Sequence, residues 1–235
     1  MKQAERRVLP IVIWDLPTRL FHWLFVAGFT IAWITHDDNR FLYLHVFSGY
    51  LFLGLLLFRL VWGVIGTHFA RFVSFAHDWK SVSVYLISLL NGSSMRYIGH
   101  NPAGGWAIFL MLLLALVVSI TGVLTLGGEE GHGPLAGYIH YGVGIIARDI
   151  HEVSAWALLA VVVAHLGGVI VESVLHRENL IWAMISGRKE TVAGVRSVRG
   201  HHLVGLLIVI IVSSSAVIYF RGYLVETADH LYQPY

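Results

Sequence analysis

The sequence contains no cysteine. Iron–sulfur clusters held by thiolates, haem attached covalently through C-x-x-C-H and any disulfide framework are therefore excluded. A metal bound by this chain must use histidine, carboxylate or methionine ligands. The chain carries 14 histidines, several of them inside apolar runs, where a polar side chain is costly. Imidazole is thus the first ligand to consider.

Charged residues are also scarce. They make up 13% of the chain, against 57% hydrophobic residues and a mean hydropathy of +0.71. Soluble domains carry about 25% charged residues, so the composition predicts an integral membrane protein. The sequence lacks a G-x-G-x-x-G motif before a predicted helix, so nothing in it indicates a domain that binds flavin or nicotinamide. The net charge of +2 gives no reason to expect a nucleic-acid partner.

Apolar runs separated by polar segments predict membrane-spanning helices, and 235 residues leave room for about five spans of about 20 residues. The runs cover residues 20–35, 41–66, 104–126, 150–171 and 203–220. The first follows a basic start but lacks a small-residue cleavage site, so it is interpreted as an uncleaved span. Residues 79–87 are amphipathic and are expected to lie along the membrane surface. Residues 127–149 are a glycine-rich, acidic connection.

Lysine and arginine are unevenly shared between the two predicted sides of the membrane. With the amino terminus inside, only Arg40, Arg148 and Arg221 fall outside. The cytoplasmic segments hold Lys2, Arg6, Arg7, Arg19, Arg71, Lys80, Arg96, Arg177, Arg188, Lys189, Arg196 and Arg199. The positive-inside rule favours this orientation. Five spans then leave the carboxyl terminus outside, on the periplasmic face of a bacterial inner membrane.

Four histidines fall within the predicted spans and sort into two levels. His151 and His165 lie 14 residues apart in the fourth span, which puts them on nearly the same helix face about 21 Å apart. With the predicted orientation, His151 and His45 lie toward the outside. His22 and His165 lie toward the inside. Helix rise, span order and charge bias thus predict the pairs His45 with His151 and His22 with His165.

Two facing histidines at each of two levels are typical of two haems with bis-imidazole ligation. Zinc fits less well, because its ligands must surround one point. The zinc-protease motif H-E-x-x-H also fails, since Ala155 stands where the second histidine is needed. Hydrogen bonding between helices and a proton path remain open for each histidine alone. Small residues could make room for porphyrin or serve close helix packing: Gly28, Gly49, Gly54, Gly167 and Gly168.

Two arginines are candidate partners for haem propionates at the inner level. Arg59 lies 14 residues beyond His45 in the second span, about 21 Å deeper. A charge inside a span usually has a partner. Arg19 lies beside His22, although its side chain could equally extend to the lipid headgroups.

Short motifs in the chain resemble one known group. They are W-D-L-P-T-R-L-F-H-W at residues 14–23, H-V-F-S-G at 45–49, F-R-L-V-W-G at 58–63, G-H-N-P at 99–102 and D-I-H at 149–151. In combination they are similar to the bacterial cytochrome b561 family, which includes the cytochrome b subunits of nickel-iron hydrogenases. The resemblance covers about residues 10–175.

The resemblance implies a four-helix bundle with two b haems, one between the first and fourth helices and one between the second and fourth. It therefore assigns His22 with His165 to the inner haem, and His45 with His151 to the outer haem, the same pairs that depth predicts. Members pass electrons between the quinone pool and a partner, often a periplasmic hydrogenase or a c-type cytochrome. Some stand-alone members oxidise superoxide. The fifth span departs from the expected four helices.

The predicted fold is an all-α integral membrane protein. A four-helix transmembrane bundle holding two b haems is expected in residues 1–175, and a cytoplasmic linker, a fifth C-terminal transmembrane helix and a periplasmic tail in residues 176–235. The predicted function is electron transfer between quinone/quinol and a periplasmic redox protein, as a subunit of a respiratory oxidoreductase. A stand-alone superoxide:quinone oxidoreductase and a histidine-lined transporter without haem are the alternatives.

Two surfaces are candidates for the quinone site. One is the aromatic and basic group near the inner haem, comprising Arg71, Trp79, His100 and Trp106. The other lies in the outer connection and comprises His140, Tyr141 and Arg148. The second group could equally dock a protein partner.

Overall fold

The computed structural model describes residues 8–93, 95–192 and 203–215. Within these residues the chain forms seven α-helices and two β-strands. The helices are α1 (Leu16–Ile34), α2 (Leu42–Ile65), α3 (Trp79–Leu90), α4 (Pro102–Gly128), α5 (Tyr141–Leu175), α6 (Leu180–Ser186) and α7 (Leu203–Ser215). The strands are β1 (Val8–Val12) and β2 (Arg188–Val192).

Three helical segments of the described chain are long and apolar enough to cross a membrane. They are Asn39–Ile65, Pro102–Gly128 and Tyr141–Leu175, which correspond to the second, third and fourth predicted spans. Helix α1 occupies the first predicted span, but Arg19 and His22 lower its hydropathy. Helix α7 begins where the fifth span is predicted to begin. Residues 216–220 of that span, and the predicted tail after it, lie outside the described residues.

Helix α5 begins at Tyr141, earlier than the predicted start of the fourth span at residue 150. Gly144 in this stretch does not mark a loop, because it allows α5 to approach the end of α4 closely. A Cβ atom on Gly144 would lie 2.3 Å from the backbone nitrogen of Glu129 and 2.9 Å from Cα of Gly128. Small residues commonly serve such contacts between membrane helices. The connection between α4 and α5 is consequently shorter than predicted.

The described residues divide between two compact units. Unit 1 draws on Met1–Leu20, Leu60–Leu110 and Val162–Leu206, and unit 2 on Phe21–Arg59, Met111–Val161 and Leu207–Tyr235.

Unit 1 also contains a short antiparallel two-stranded sheet, which the sequence does not predict within the otherwise all-helical fold. Strands β1 and β2 pair from Val8 with Val192 to Val12 with Arg188. The backbone nitrogens of Ile13 and Trp14 then donate to the carbonyl oxygen of Gly187, at 2.8 and 3.1 Å. Short strands that lie so far apart in sequence carry no local signal of pairing, since β-propensity depends strongly on context.

Asp15 joins three segments of unit 1. Its carboxylate accepts hydrogen bonds from the backbone nitrogen of Thr18 at 2.7 Å, from Trp62 Nε1 at 3.1 Å and from Thr67 Oγ1 at 2.6 Å. The first of these bonds satisfies a free N–H group in the first turn of α1. The other two tie the start of α1 to the end of α2 and to the turn after it.

Helix α7 approaches the same corner of unit 1. A Cβ atom on Gly205 would lie 2.6 Å from both Pro17 Cγ and Trp62 Cη2. The close approach requires glycine, and it fixes the first turn of α7 against α1 and α2.

An ion cluster around the buried Lys189 attaches β2 to the rest of unit 1. Lys189 Nζ donates to the carbonyl oxygen of Tyr97 at 3.2 Å and lies 3.4 Å from Glu178 Oε2. Arg96 Nε pairs with the same carboxylate at 3.1 Å. Burial lowers the pKa of Lys189, because desolvation disfavours its charged form.

Unit 2 contains the larger parts of the four helices α1, α2, α4 and α5, and it also includes α7 from Leu207 onward. The Phe25 and Phe52 rings stack with centroids 3.8 Å apart, which joins α1 to α2. Val46, Tyr50 and Leu126 form a buried cluster between α2 and α4. The four helices enclose the cavity that holds the candidate site.

Candidate functional site

A cavity of about 470 Å³ lies within unit 2. This volume falls in the range of about 300–1,000 Å³ that is usual for ligand and cofactor pockets. Apolar and aromatic side chains form most of its wall, among them Phe29, Trp33, Phe52, Val118, Leu126 and Trp156. Four exposed polar residues form what we call the charged rim: His36, Asp37, Arg148 and Glu152.

His45 of α2 and His151 of α5 face each other across this cavity. Their ring centroids are 6.0 Å apart, with 71° between the ring planes. The sequence predicts this pair, and the structure brings the two residues together. Both rings are only partly exposed.

Backbone carbonyls fix the orientation of both imidazoles. His45 Nδ1 lies 2.9 Å from the carbonyl oxygen of Ala32, and His151 Nδ1 lies 2.8 Å from that of Val118. A carbonyl oxygen can only accept, so each Nδ1 must carry the proton and donate it. Each Nε2 is then a free base, which is the usual arrangement of a metal-ligating histidine. No sequence signal points to Ala32 or Val118, because every residue type has a carbonyl.

The separation of the two rings fits ligation of one metal between them. A metal–imidazole bond is about 2.0 Å, so two ligands to one ion hold their nitrogens about 4 Å apart and their ring centres, each about 1 Å further out, about 6 Å apart. The observed separation of 6.0 Å agrees with this value.

The cavity also has the space that a macrocycle requires beside its ligands. A Cβ atom on Gly49, which lines the cavity, would meet no atom within 4 Å. Ser119 Oγ lines it as well and is buried without a hydrogen-bond partner among the described residues. A Cβ atom on Gly122 would lie 3.0 Å from His151 Cε1, so this glycine makes room for the ligand ring. The residues present therefore fit a b haem.

A bare metal ion would be poorly held here. Among the described residues, no group of three or more His, Cys, Asp or Glu side chains could surround a metal ion. Zinc sites need at least three protein ligands. Two opposed imidazoles beside an open cavity favour a planar cofactor that supplies its own ligands.

His22 and His165 belong to α1 and α5, as predicted for the inner pair. Both are partly exposed, and the His22 ring meets the edge of Trp23 with centroids 4.9 Å apart. Gly167 and Gly168 are exposed, and Cβ atoms on them would meet no atom within 4 Å. The pairing of His22 with His165 remains a prediction.

The two arginines predicted near the inner haem have different surroundings. Arg59 is buried, with 4% of its surface exposed. Arg19 Nη1 donates to the carbonyl oxygen of Ile185 at 2.7 Å. Arg19 therefore helps to hold the end of α6, a role that the sequence did not suggest. A propionate contact for either arginine remains a prediction.

The first candidate quinone group lies in unit 1, and the structure brings part of it together. The Trp79 and Trp106 rings meet edge to face with centroids 5.6 Å apart, and Trp106 Nε1 donates to the carbonyl oxygen of His77 at 2.9 Å. His100 instead lies between Trp14 and Phe75, with both centroid distances 4.6 Å. Arg71 is exposed.

The second candidate group is divided by the early start of α5. His140 and Tyr141 lie at its exposed first turn, whereas Arg148 lies two turns further on and lines the cavity. Arg148 thus belongs to the wall of the cavity and not to a loop.

Comparison of the sequence with known proteins also indicates a b-type cytochrome. The sequence model of the family described as prokaryotic cytochrome b561 matches residues 13–187. A similar protein from Azotobacter vinelandii, "Probable Ni/Fe-hydrogenase B-type cytochrome subunit", is 26% identical over 79% of this chain and 91% of its own length. A protein of the same description from Cupriavidus necator is 24% identical, over 74% and 85% of the two chains. "Probable Ni/Fe-hydrogenase 1 B-type cytochrome subunit" from Escherichia coli is 22% identical, over 80% and 94%.

The family match extends over most of the chain and includes all four predicted ligand histidines. With two of them facing each other across a cavity that fits a haem, the chain belongs to the prokaryotic cytochrome b561 family.

Proposed function

We propose that this chain is the dihaem membrane subunit that passes electrons between a periplasmic hydrogenase and the quinone pool. The observation that carries the proposal is the facing pair of His45 and His151, each oriented by a backbone carbonyl. The family membership supports haem b as the cofactor. A b haem supplies reversible one-electron chemistry at iron, and the protein supplies ligands, burial and electrostatic tuning.

The four histidines have distinct roles in this proposal. His45 and His151 ligate the outer haem through Nε2, while Nδ1 of each ring stays committed to a carbonyl. His22 and His165 ligate the inner haem. Because His151 and His165 share α5, one helix contributes a ligand to each haem. Arg59 and Arg19 are the proposed cations near the inner propionates.

The orientation follows from the distribution of lysine and arginine. We place the amino terminus in the cytoplasm and the charged rim on the periplasmic side of the inner membrane. The outer haem then faces a periplasmic donor, and the inner haem faces the cytoplasmic half of the bilayer. The aromatic group around Trp79 and Trp106 is our candidate for the quinone surface, since it adjoins the connection between α2 and α4, which this orientation places on the cytoplasmic side.

The names of the similar proteins support a hydrogenase as partner, because each is described as a cytochrome subunit of a nickel-iron hydrogenase. A periplasmic c-type cytochrome is the second candidate partner. A stand-alone superoxide:quinone oxidoreductase would need neither partner.

The assignment is tested by replacing each of the four histidines with alanine. We expect H45A and H151A to remove the outer haem and H22A and H165A to remove the inner haem, because a bis-imidazole site is lost with either ligand. The measurements are haem content per chain and a redox titration of the reduced-minus-oxidised α band. H140A, at the exposed start of α5, is the control and should retain both signals.

Each variant should lose one titrating component, and the four should fall into two pairs. Any other grouping would contradict the ligand assignment. A purified wild-type protein without Soret and α bands would remove haem from the proposal altogether and would favour a transporter.

A further inference from the structure

Arg148 stands out at the charged rim of the cavity. It lies three residues before His151, so the two side chains project from the same face of α5, one turn apart. It is the one lysine or arginine that lines the cavity in the described part of the chain. A positive charge is thus held close to a proposed haem ligand.

Two acidic residues hold the Arg148 guanidinium in place, and the side chain stays accessible to a ligand. Arg148 Nη1 donates to Glu129 Oε1 at the end of α4, and Arg148 Nε lies 3.8 Å from Asp149 Oδ1. The second oxygen of Glu129 is buried without a hydrogen-bond partner among the described residues. Arginine has five N–H donors in a fixed plane, so one contact with Glu129 leaves donors for another anion. The Arg148 side chain is half exposed, at 52%.

A b haem has two propionate carboxylates on one edge of its ring, and these must lie at a polar border of any apolar site. Carboxylates bind arginine through strong, charge-assisted hydrogen bonds. The rest of the charged rim is His36, whose Nδ1 lies 2.6 Å from the carbonyl oxygen of Trp33, and the acidic Asp37 and Glu152. These two carboxylates repel a propionate, so Arg148 is the group that can attract one.

We propose that Arg148, positioned by Glu129, binds a propionate of the outer haem and so sets the direction of that edge and raises the haem's reduction potential. This inference rests on the proposed function, because it requires a haem between His45 and His151. Arg148 would be a propionate partner for the outer haem, whereas Arg59 and Arg19 are the candidates for the inner haem.

The first test is a redox titration of purified R148Q in detergent. Loss of a positive charge beside the haem favours ferric iron, so the outer component should titrate at a lower potential. We expect the ferric-to-ferrous ratio at a fixed potential to rise about tenfold, which equals about 59 mV for one electron. R148K should recover part of the shift. E129Q should shift the potential in the opposite direction, because it removes a negative charge.

Arg40 provides a matched control on the same predicted side. It is exposed and paired with Asp38, and it does not line the cavity. R40Q should titrate like the wild type. The pH dependence offers a second readout: a propionate that loses its arginine has a higher pKa, so the potential of R148Q should vary more steeply with pH near neutrality than that of the wild type.

A direct propionate contact is separated from a general effect of charge by changing the cofactor. Haem-free wild type and R148Q are each reconstituted with haem b or with its dimethyl ester, which has no ionised propionates. The difference between the two proteins should largely disappear with the ester. A difference of the same size with both cofactors would overturn the propionate contact.

The failure of this inference can be told apart from failure of the proposed function. If the wild type has no haem component that depends on His151, the haem site itself is wrong. If that component exists and R148Q titrates like the wild type, only the role of Arg148 is refuted.

Discussion

At the scale of single residues, Asp15 shows how much one buried carboxylate can hold in place. Only 1% of it is exposed, and it accepts three hydrogen bonds from Thr18, Trp62 and Thr67. The three donors come from α1, from α2 and from the turn that follows α2. Removing an acceptor from such a site leaves a buried donor without a partner, which costs more than the bond itself contributes.

We therefore expect replacement of Asp15 with asparagine to lower the free energy of unfolding. The amide NH₂ would face Trp62 Nε1–H, which cannot accept, whereas the Thr67 hydroxyl can turn to accept. One unsatisfied buried donor costs about 1–3 kcal/mol. The measurement is thermal unfolding of purified D15N in detergent, compared with D38N, whose carboxylate lies in a surface pair with Arg40. Equal melting temperatures for D15N and wild type would show that these hydrogen bonds contribute nothing to stability.

At the scale of elements, α7 begins in unit 1 and continues in unit 2. Gly205 packs against Pro17 and Trp62, and no residue of α7 lines the cavity among the described residues. The family match ends at residue 187, before α7 begins. These observations favour a role for α7 in assembly or in contact with a partner.

Deleting residues 203–235 should accordingly leave the outer haem signal intact. The truncated protein should melt at a lower temperature, because Pro17 and Trp62 lose the helix that packs on them. Haem content per chain and the α-band titration are the measurements, and G205L, which displaces α7 without removing it, should give the same outcome. Loss of both haems on truncation would place α7 in the cofactor bundle.

The sequence predicts some elements well and others not at all. The second, third and fourth spans follow from hydropathy, and the facing of His45 and His151 follows from their predicted depth. The sheet between β1 and β2 was missed, because pairing between distant short strands depends on tertiary context. The early start of α5 was missed because glycine is read as a turn signal, whereas Gly144 serves a helix contact. The carbonyl partners of the ligands have no signature in sequence.

At the scale of the whole molecule, the proposed function requires that electrons enter at one haem and leave at the other. In this proposal the hydrogenase supplies the catalytic group for hydrogen oxidation, and this chain carries the electrons. Its contribution is to connect two redox partners that do not meet, and its loss should uncouple them without inactivating either.

In membranes that contain the partner hydrogenase, H151A should therefore abolish hydrogen-dependent reduction of a water-soluble quinone analogue. Hydrogen oxidation with methyl viologen should remain, because this dye accepts electrons directly from the hydrogenase. R40Q, which changes an exposed arginine outside the cavity, should behave like the wild type in both assays. Quinone reduction that persists in H151A would argue against the outer haem as the electron entry point. Reduction of the purified wild type by superoxide alone would favour the stand-alone oxidoreductase.

The hydrogen bonds from His45 and His151 to backbone carbonyls have a consequence for genetics. The acceptors at Ala32 and Val118 belong to the main chain, so every amino acid placed at either position would still supply one. Because both residues line the cavity, a saturation screen for haem loss should depend at these positions on the size and polarity of the new side chain and not on loss of the acceptor. The orientation of each ring depends on how the neighbouring helices are aligned. We expect relatives with the same helix packing to keep this orientation even where their side chains at residues 32 and 118 differ.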